Sequence, residues 1–233
     1  VLLDPCVGIG TIPMEVPYCA TAIGLGGDLV LTQDGMGSVG SNYVAQVRQE
    51  GQKSNKFTGA TNLMAWDATL LPVRSSSVDV IVSDLPFGQT CMSSSKLANI
   101  LPLMIEEMGR VLRPITGRLV LLCGSYQPIL NAFQYLNDEA VSSKDGDDST
   151  SSTSSQDRSV WQLPCKSVFP VNVGGLMAWI IHVNRGPGDF IRVPNRLERI
   201  RKLAHKRQRI AKHLAKEVPE KESQSKYRRI QSR

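Results

Sequence analysis

No apolar run in this chain of 233 residues approaches the roughly 18 that a membrane-crossing helix needs. No charged-then-apolar leader opens it, so nothing marks the chain for secretion, and it is expected inside the cell, in the cytoplasm, with the nucleus as the alternative. Cysteine is scarce: Cys6, Cys19, Cys91, Cys123 and Cys165 are odd in number and far apart, with no CxxC pair. That spacing excludes a disulfide framework and a zinc knuckle, so reduced thiols and no metal centre are expected. No internal repeat is visible. What is present, 41% hydrophobic and 21% charged residues, excludes a collagenous or wholly disordered chain and fits a globular protein with irregular additions.

The chain opens on Val1-Leu2-Leu3-Asp4, which reads as the end of a buried strand, so preceding sequence is expected and the chain is read as a fragment. Charge divides it. From Arg192 onward lie 15 of the 27 Lys and Arg and 4 of the 21 Asp and Glu, so this tail carries +11 and residues 1–191 carry −5. A second break, Ser142 to Ser159, has almost nothing to bury and is expected to be a disordered surface insertion.

Between these breaks, short apolar runs end at Asp4, near Asp28, at Asp84 and at Cys123, each too short for a helix. The stretch Lys96 to Leu112 places Leu97, Ile100, Leu101, Met104, Ile105, Met108 and Leu112 on one helical stripe, closed by Arg113-Pro114. Alternation of this kind predicts an α/β fold, a doubly wound and mostly parallel sheet in which ligands bind beyond the carboxyl ends of the strands. Val168 to Val173 and Met177 to Val183, flanking Asn172-Val173-Gly174-Gly175, predict a closing antiparallel hairpin.

Four places carry candidate chemistry. In VLLDPCVGIGTIPME a strand ends at Asp4, and Gly8 and Gly10 lead into a helix opening at Thr11. Glycines there either let backbone approach a ligand or simply permit tight strand-to-helix packing. No Gly-Lys-Ser/Thr follows, and Pro13 replaces the third glycine of a dinucleotide fingerprint. An acid at the strand end suits an ammonium better than a pyrophosphate. Asp28, 24 residues later, stands where an acid can accept from both ribose hydroxyls, although six glycines between Gly24 and Gly40 leave Asp34 as the alternative. Asp67 fits a carboxylate receiving an adenine amine, and equally a helix cap. Ser83-Asp84-Leu85-Pro86-Phe87-Gly88 closes a very apolar strand. The Asp84 carboxylate and the Leu85 carbonyl offer two acceptors for an amine, Pro86 stiffens the turn, and Phe87 offers a ring face. The plainer alternative is a strand-ending turn with Phe87 packed inside.

DPCVGIGTIPME followed by SDLPFG resembles motifs I and IV of class I S-adenosylmethionine-dependent amino-methyltransferases, specifically the THUMP-domain tRNA guanine-N2-methyltransferases. AWDATLLPVRSSSVDVIVSDLPFG, the Glu107-Met108-x-Arg110-Val111-Leu112 helix end, the Thr116-Gly117-Arg118 turn and VNVGGL extend the likeness over most of residues 1–186. It implies a Rossmann-like methyltransferase fold and S-adenosylmethionine as cofactor. Asp4, Cys6, Gly8 and Gly10 would line its methionine and ribose part, Asp28 would hold the ribose hydroxyls, and Asp67 the adenine. Asp84, with Leu85 and Pro86, would orient the guanine exocyclic amine, and Phe87 would pack on the base. For eukaryotic members it also implies tRNA as substrate and a small zinc-ribbon activator subunit as partner. The sequence departs from the family in the Gly24 to Gly40 stretch, which lacks Asp-Asn-Asn/Asp-Pro after the acid, and at Gln89, where Lys is frequent.

Other classes stay open: methyl transfer to another planar amine, such as adenine or a glutamine amide, and a non-catalytic RNA-binding relative. In the tail, Asn195 can cap a helix whose one face collects Leu197, Ile200, Leu203, Ala204, Ala211 and Leu214. The other face carries Arg199, Lys202, Lys206 and Arg209, which suits RNA phosphates, a nuclear-localisation-like signal, or simply solvent. Deleting residues 192–233 is expected to weaken RNA binding and flatten its salt dependence. Equal affinity of the two forms at low and high salt would rule out that role.

Overall fold

A computed structural model describes residues 1–29, 59–85, 94–142 and 159–188. In chain order these form β1 (Leu2–Asp4), α1 (Thr11–Cys19), β2 (Ile23–Asp28), β3 (Ala60–Ala65), β4 (Val80–Asp84), α2 (Ser94–Val111), β5 (Arg118–Cys123), α3 (Gln127–Ser142), β6 (Ser167–Val173) and β7 (Leu176–Asn184). The strands make one seven-stranded sheet in the order β3-β2-β1-β4-β5-β7-β6. β1 to β5 are parallel, and β7 pairs antiparallel with both β5 and β6. The expected doubly wound sheet with a closing hairpin is therefore the fold, and the strand ends expected at Asp4, Asp28, Asp84 and Cys123 are all found. In the hairpin turn, Gly174 and Gly175 take φ of 59° and 89°, and Asn172 Oδ1 accepts from the Gly175 N–H.

β1 pairs with β2 on one side and β4 on the other. The chain thus winds outward in both directions from β1 and β4, and this reversal opens a crevice beyond their carboxyl ends. Leu3, Ile81, Leu119 and Val183 form a continuous row across four strands, each wholly buried. The opposite face carries Gly24 and Gly26, against which α1 packs. A Cβ on Gly26 would stand 2.7 Å from Val7, 2.8 Å from Leu63 and 2.8 Å from Pro13, closer than packed atoms come, so glycine in β2 answers the close approach of α1. The predicted apolar stripe holds in α2, where Ile100, Leu101, Met104, Ile105 and Met108 are buried, with Leu112 just beyond the helix end. α3 packs on α2 and brings Phe133 to Trp161, ring centroids 5.0 Å apart. Ser142 ends α3, and the Ser159 carbonyl accepts from Gly188; residues 143–158, most of the expected insertion, lie outside the described residues.

Two buried acids interrupt the apolar character of α2, Glu106 and Glu107. Glu107 accepts from Arg110 through both oxygens at 2.8 Å and from the Leu71 N–H at 2.8 Å. Arg110 also donates to the Leu71 and Val73 carbonyls and to Ser75 Oγ. The pair thereby clamps the long connection into β4 against the helix. Removing one member of a buried ion pair typically costs about 3–5 kcal/mol, because the other charge stays desolvated. Arg110→Ala should lower unfolding free energy by about 3 kcal/mol or more, measured by denaturant titration; a loss below about 1 kcal/mol would show the clamp to be no more than a surface pair.

Candidate active site

The site is built where β1 and β4 end. Asp4 is only 1% exposed, and its Oδ1 accepts from the Cys6 N–H at 3.1 Å and from the Ser83 hydroxyl at 2.7 Å. Burial, the largest influence, pushes its carboxyl up to about 6; the Ser83 and Cys6 hydrogen bonds pull it down, and the charges of Asp84 and Asp28 push it up. The chain then turns through Pro5 and Cys6, Val7 donates to the Gly27 carbonyl, and Gly10 donates to Val7. Gly8 and Gly10 have φ of 50° and 87°, the left-handed region that side chains disfavour. Among the described residues nothing lies within 4 Å of where a Gly8 side chain would begin, so the loop backbone faces open space among them at that point. Gly10 caps α1 without any side-chain hydrogen bond.

Asp28 ends β2 as expected. Its Oδ2 accepts from the Gly8 N–H at 3.1 Å and its Oδ1 from the Leu29 N–H at 2.7 Å, so it is tied directly to the glycine loop. Asp34 lies outside the described residues. Asp67 sits two residues past β3 and corrects one of its two expected roles. It caps no helix; its Oδ1 accepts from the Thr69 N–H and hydroxyl at 2.8 and 2.7 Å, closing a turn in which Asp67 pairs with Leu70. Asp84 ends β4 with its carboxylate exposed, and burial of part of the group holds its carboxyl above the usual range. Leu85 is buried and donates its N–H to Leu122 on β5. Pro86 and Phe87 lie outside the described residues, as do Arg199, Lys202, Lys206 and Arg209. Cys6 is a neutral packed thiol, pushed well up by burial, and its N–H is used inside the protein by Asp4.

Asp4, Cys6, Gly8, Gly10, Asp28, Asp67 and Asp84 thus all fall at the carboxyl edge of the sheet. Asp28 and Asp84 are close enough to raise the proton affinity of Asp4, a concentration of negative charge suited to a cationic ligand. Sequence reasoning assigned no role to two residues that organise this edge. Trp66, 6% exposed, donates its indole N–H to the Pro5 carbonyl at 3.0 Å and so ties the Asp67 turn to the first loop. Ser83 joins β4 to β1. The available signal for it was a lone hydroxyl on the inward row of an apolar strand, two residues after Ile81, where a buried polar group requires a partner.

A parallel sheet reversed at its fourth strand, with an antiparallel seventh strand and a glycine loop between strand-end acids, defines the class I methyltransferase fold. The chain belongs to the family described as UPF0020, RMKL-like, methyltransferase domain, whose model matches residues 1–153. It is 31% identical over 198 residues to the human tRNA (guanine(6)-N(2))-methyltransferase THUMP3, an alignment covering 82% of this chain and 33% of that protein. The mouse THUMP3 is 36% identical over 129 residues, 52% of this chain and 24% of that protein. The Bos taurus U6 snRNA (guanine-N(2))-methyltransferase THUMPD2 is 33% identical over 122 residues, 52% of this chain and 21% of that protein. The chain therefore spans about a third or less of the length of these relatives. Among solved structures, TrmN from Thermus thermophilus superposes with a TM-score of 0.55 at 18% identity, covering 79% of this chain and 43% of that one. A SAM-dependent methyltransferase from Methanosarcina mazei gives 0.51 at 17% identity, covering 79% and 92%. Both show the fold.

A carboxyl raised from 3.8 to about 6 marks an ionised Asp4 as unfavourable to the empty protein, by about 3 kcal/mol at 1.36 kcal/mol per pH unit. The sign follows from linkage: the folded group binds its proton more tightly than the unfolded one, so stability is greatest below about pH 4 and falls as pH rises through about 6. Asp4→Asn keeps the accepting oxygen and removes the charge. Without ligand it should match the parent below about pH 4 and exceed it above about pH 6, read by unfolding across that range. A difference that does not vary with pH would contradict the burial of this charge.

Proposed function

We propose that this chain is the catalytic domain of an RNA methyltransferase that transfers a methyl group from S-adenosylmethionine to the exocyclic N2 of a guanosine, in tRNA. The observation that carries the reading is the direct bond between the two motif strands. Ser83, next to Asp84, holds Asp4 at 2.7 Å, so the acid suited to the cofactor and the acid suited to the amine share one crevice. The named relatives support guanine N2 as the target. tRNA is preferred over U6 snRNA because the THUMP3 alignment extends over 82% of this chain and the THUMPD2 alignment over 52%.

The residues present fit the cofactor. A buried acid, a second acid tied to a left-handed glycine loop, and open space over Gly8 form a cradle for a cationic amino acid joined to a nucleoside. When bound, S-adenosylmethionine supplies an electrophilic methyl group on a sulfonium. Asp4 is placed to receive the ammonium, Asp28 the ribose hydroxyls, and Asp67 the adenine edge. Asp84 accepts from the guanine amine and, with its carboxyl already held above the ordinary range, is a better proton acceptor than a solvated aspartate. The guanine amine is a poor nucleophile, its lone pair delocalised into the ring. The chain's contribution is therefore orientation and charge placement, with no covalent intermediate on the protein. The Leu85 carbonyl, Pro86 and Phe87 complete the amine clamp, and the basic residues Arg199, Lys202, Lys206 and Arg209 follow RNA phosphates. A small zinc-ribbon activator subunit is the proposed partner. Exposed Ile9, Leu29 and Leu70, in the loops after β1, β2 and β3, and Met64 on the edge strand β3 supply apolar surface for it.

Incubation with tRNA and S-adenosylmethionine, followed by nucleoside mass spectrometry, should give N2-methylguanosine; N6-methyladenosine or a methylated glutamine in a protein substrate would move the reading to another planar amine. Asp84→Ala should lower transfer by a factor of about 1,000 or more while leaving cofactor affinity within a few-fold. Full activity in that variant would remove Asp84 from the reaction.

A further inference from the structure

Ser83 is the residue before Asp84, at the carboxyl end of β4. It is 1% exposed and stands in the inward row with Leu121 and Ile181, both wholly buried. A hydroxyl in that row is costly to bury unless it is bonded, and its proton goes to Asp4 Oδ1 at 2.7 Å, from a residue 79 positions away in sequence. The Cys6 side chain lies beside Ser83 as well, and burial keeps its thiol neutral.

We propose that Ser83 is a positioning residue for methyl transfer: its hydroxyl keeps Asp4 ionised and aimed into the crevice, and it fixes the strand bearing Asp84 to the strand bearing the cofactor acid. This rests on the reading of the chain as an S-adenosylmethionine-dependent methyltransferase. The groups that face Asp4 make the role necessary. From β4 comes Asp84, from β2 Asp28, and from the following loop the Cys6 thiol, with Asp67 beyond it. The two aspartates that act on Asp4 both favour its protonation, as does burial, and among the described residues only Ser83 and the Cys6 N–H oppose it. Without the hydroxyl the midpoint of Asp4, already at about 6, moves towards neutrality, and the acid that should meet an ammonium is increasingly uncharged.

The test uses the whole chain with Ser83→Ala and Ser83→Thr, and two readouts. The first needs no cofactor: the unfolding free energy of each form is compared with that of the same form carrying Asp4→Asn, across pH 4 to about 9, which reports the Asp4 midpoint. The second is calorimetric affinity for S-adenosylmethionine over the same range. Ser83→Ala should raise the midpoint in both readouts and weaken binding at neutral pH by about tenfold, the worth of a hydrogen bond to a charged group. Binding should recover at higher pH, and Ser83→Thr should restore the parent profile. An unchanged midpoint in Ser83→Ala, with the parent binding normally, overturns the role of Ser83 alone. A parent chain that binds no S-adenosylmethionine at any pH overturns the methyltransferase reading and this inference with it.

Discussion

A buried carboxylate at the end of the central strand is the constraint around which the site is arranged. Removing a charged group from water is expensive unless hydrogen bonds replace the lost solvent, and Asp4 recovers only part of that loss, from one amide and one hydroxyl. Its surroundings add to the strain, since Asp28 and Asp84 are negative as well. A protein selected for stability alone would place a neutral residue here. An ionised Asp4 is instead suited to a crevice completed by a positive ligand, in the way that active sites hold groups in states the empty fold disfavours.

Such a site needs a rigid base, and the opposite edge of the sheet supplies it. Arg110 and Glu107 fasten the Leu71 to Ser75 segment to α2. Arg185, just past β7 and 2% exposed, donates to the carbonyls of Gly109, Val160, Gly186 and Gly188. These guanidiniums bind mainly backbone, joining the end of α2, the entry to Trp161 and the exit from β7 where the amino ends of β4 and β5 begin. The chemistry-bearing carboxyl edge is then built of loops hung from strands whose amino ends are fastened to one another.

Much of this was legible in the sequence, for a physical reason. Parallel strands buried on both faces read as short apolar runs, and their carboxyl ends show where the first acid appears, which is why Asp4, Asp28 and Asp84 were found. The α2 stripe and the glycine turn of the hairpin were equally plain, because both depend on spacing within one segment. Contacts that join distant segments left weaker marks. Asp67 was placed near the right edge, but its Oδ1 closes a turn with Thr69, which an isolated Asp does not announce. Trp66 reaches Pro5 across 61 positions and Ser83 reaches Asp4 across 79, and no local pattern encodes either pairing. Glu107 and Arg110 entered as a matched motif, with no sign that they bind the Leu71 to Ser75 segment.

The distribution of charge sets a problem that the proposed reaction must solve. Residues 1–191 carry −5, with three acids at the crevice, while the substrate proposed for that crevice is a polyanion. At roughly 4 Å two unit charges interact by about 1 kcal/mol in water and about 4 kcal/mol near a protein surface, so the same carboxylates that suit a cationic ligand repel phosphates. The acids are therefore useful only if they meet the cofactor and the uncharged edge of a base, while phosphates are engaged elsewhere. The +11 carried by residues 192–233 supplies charge of the required sign on a separate stretch of sequence.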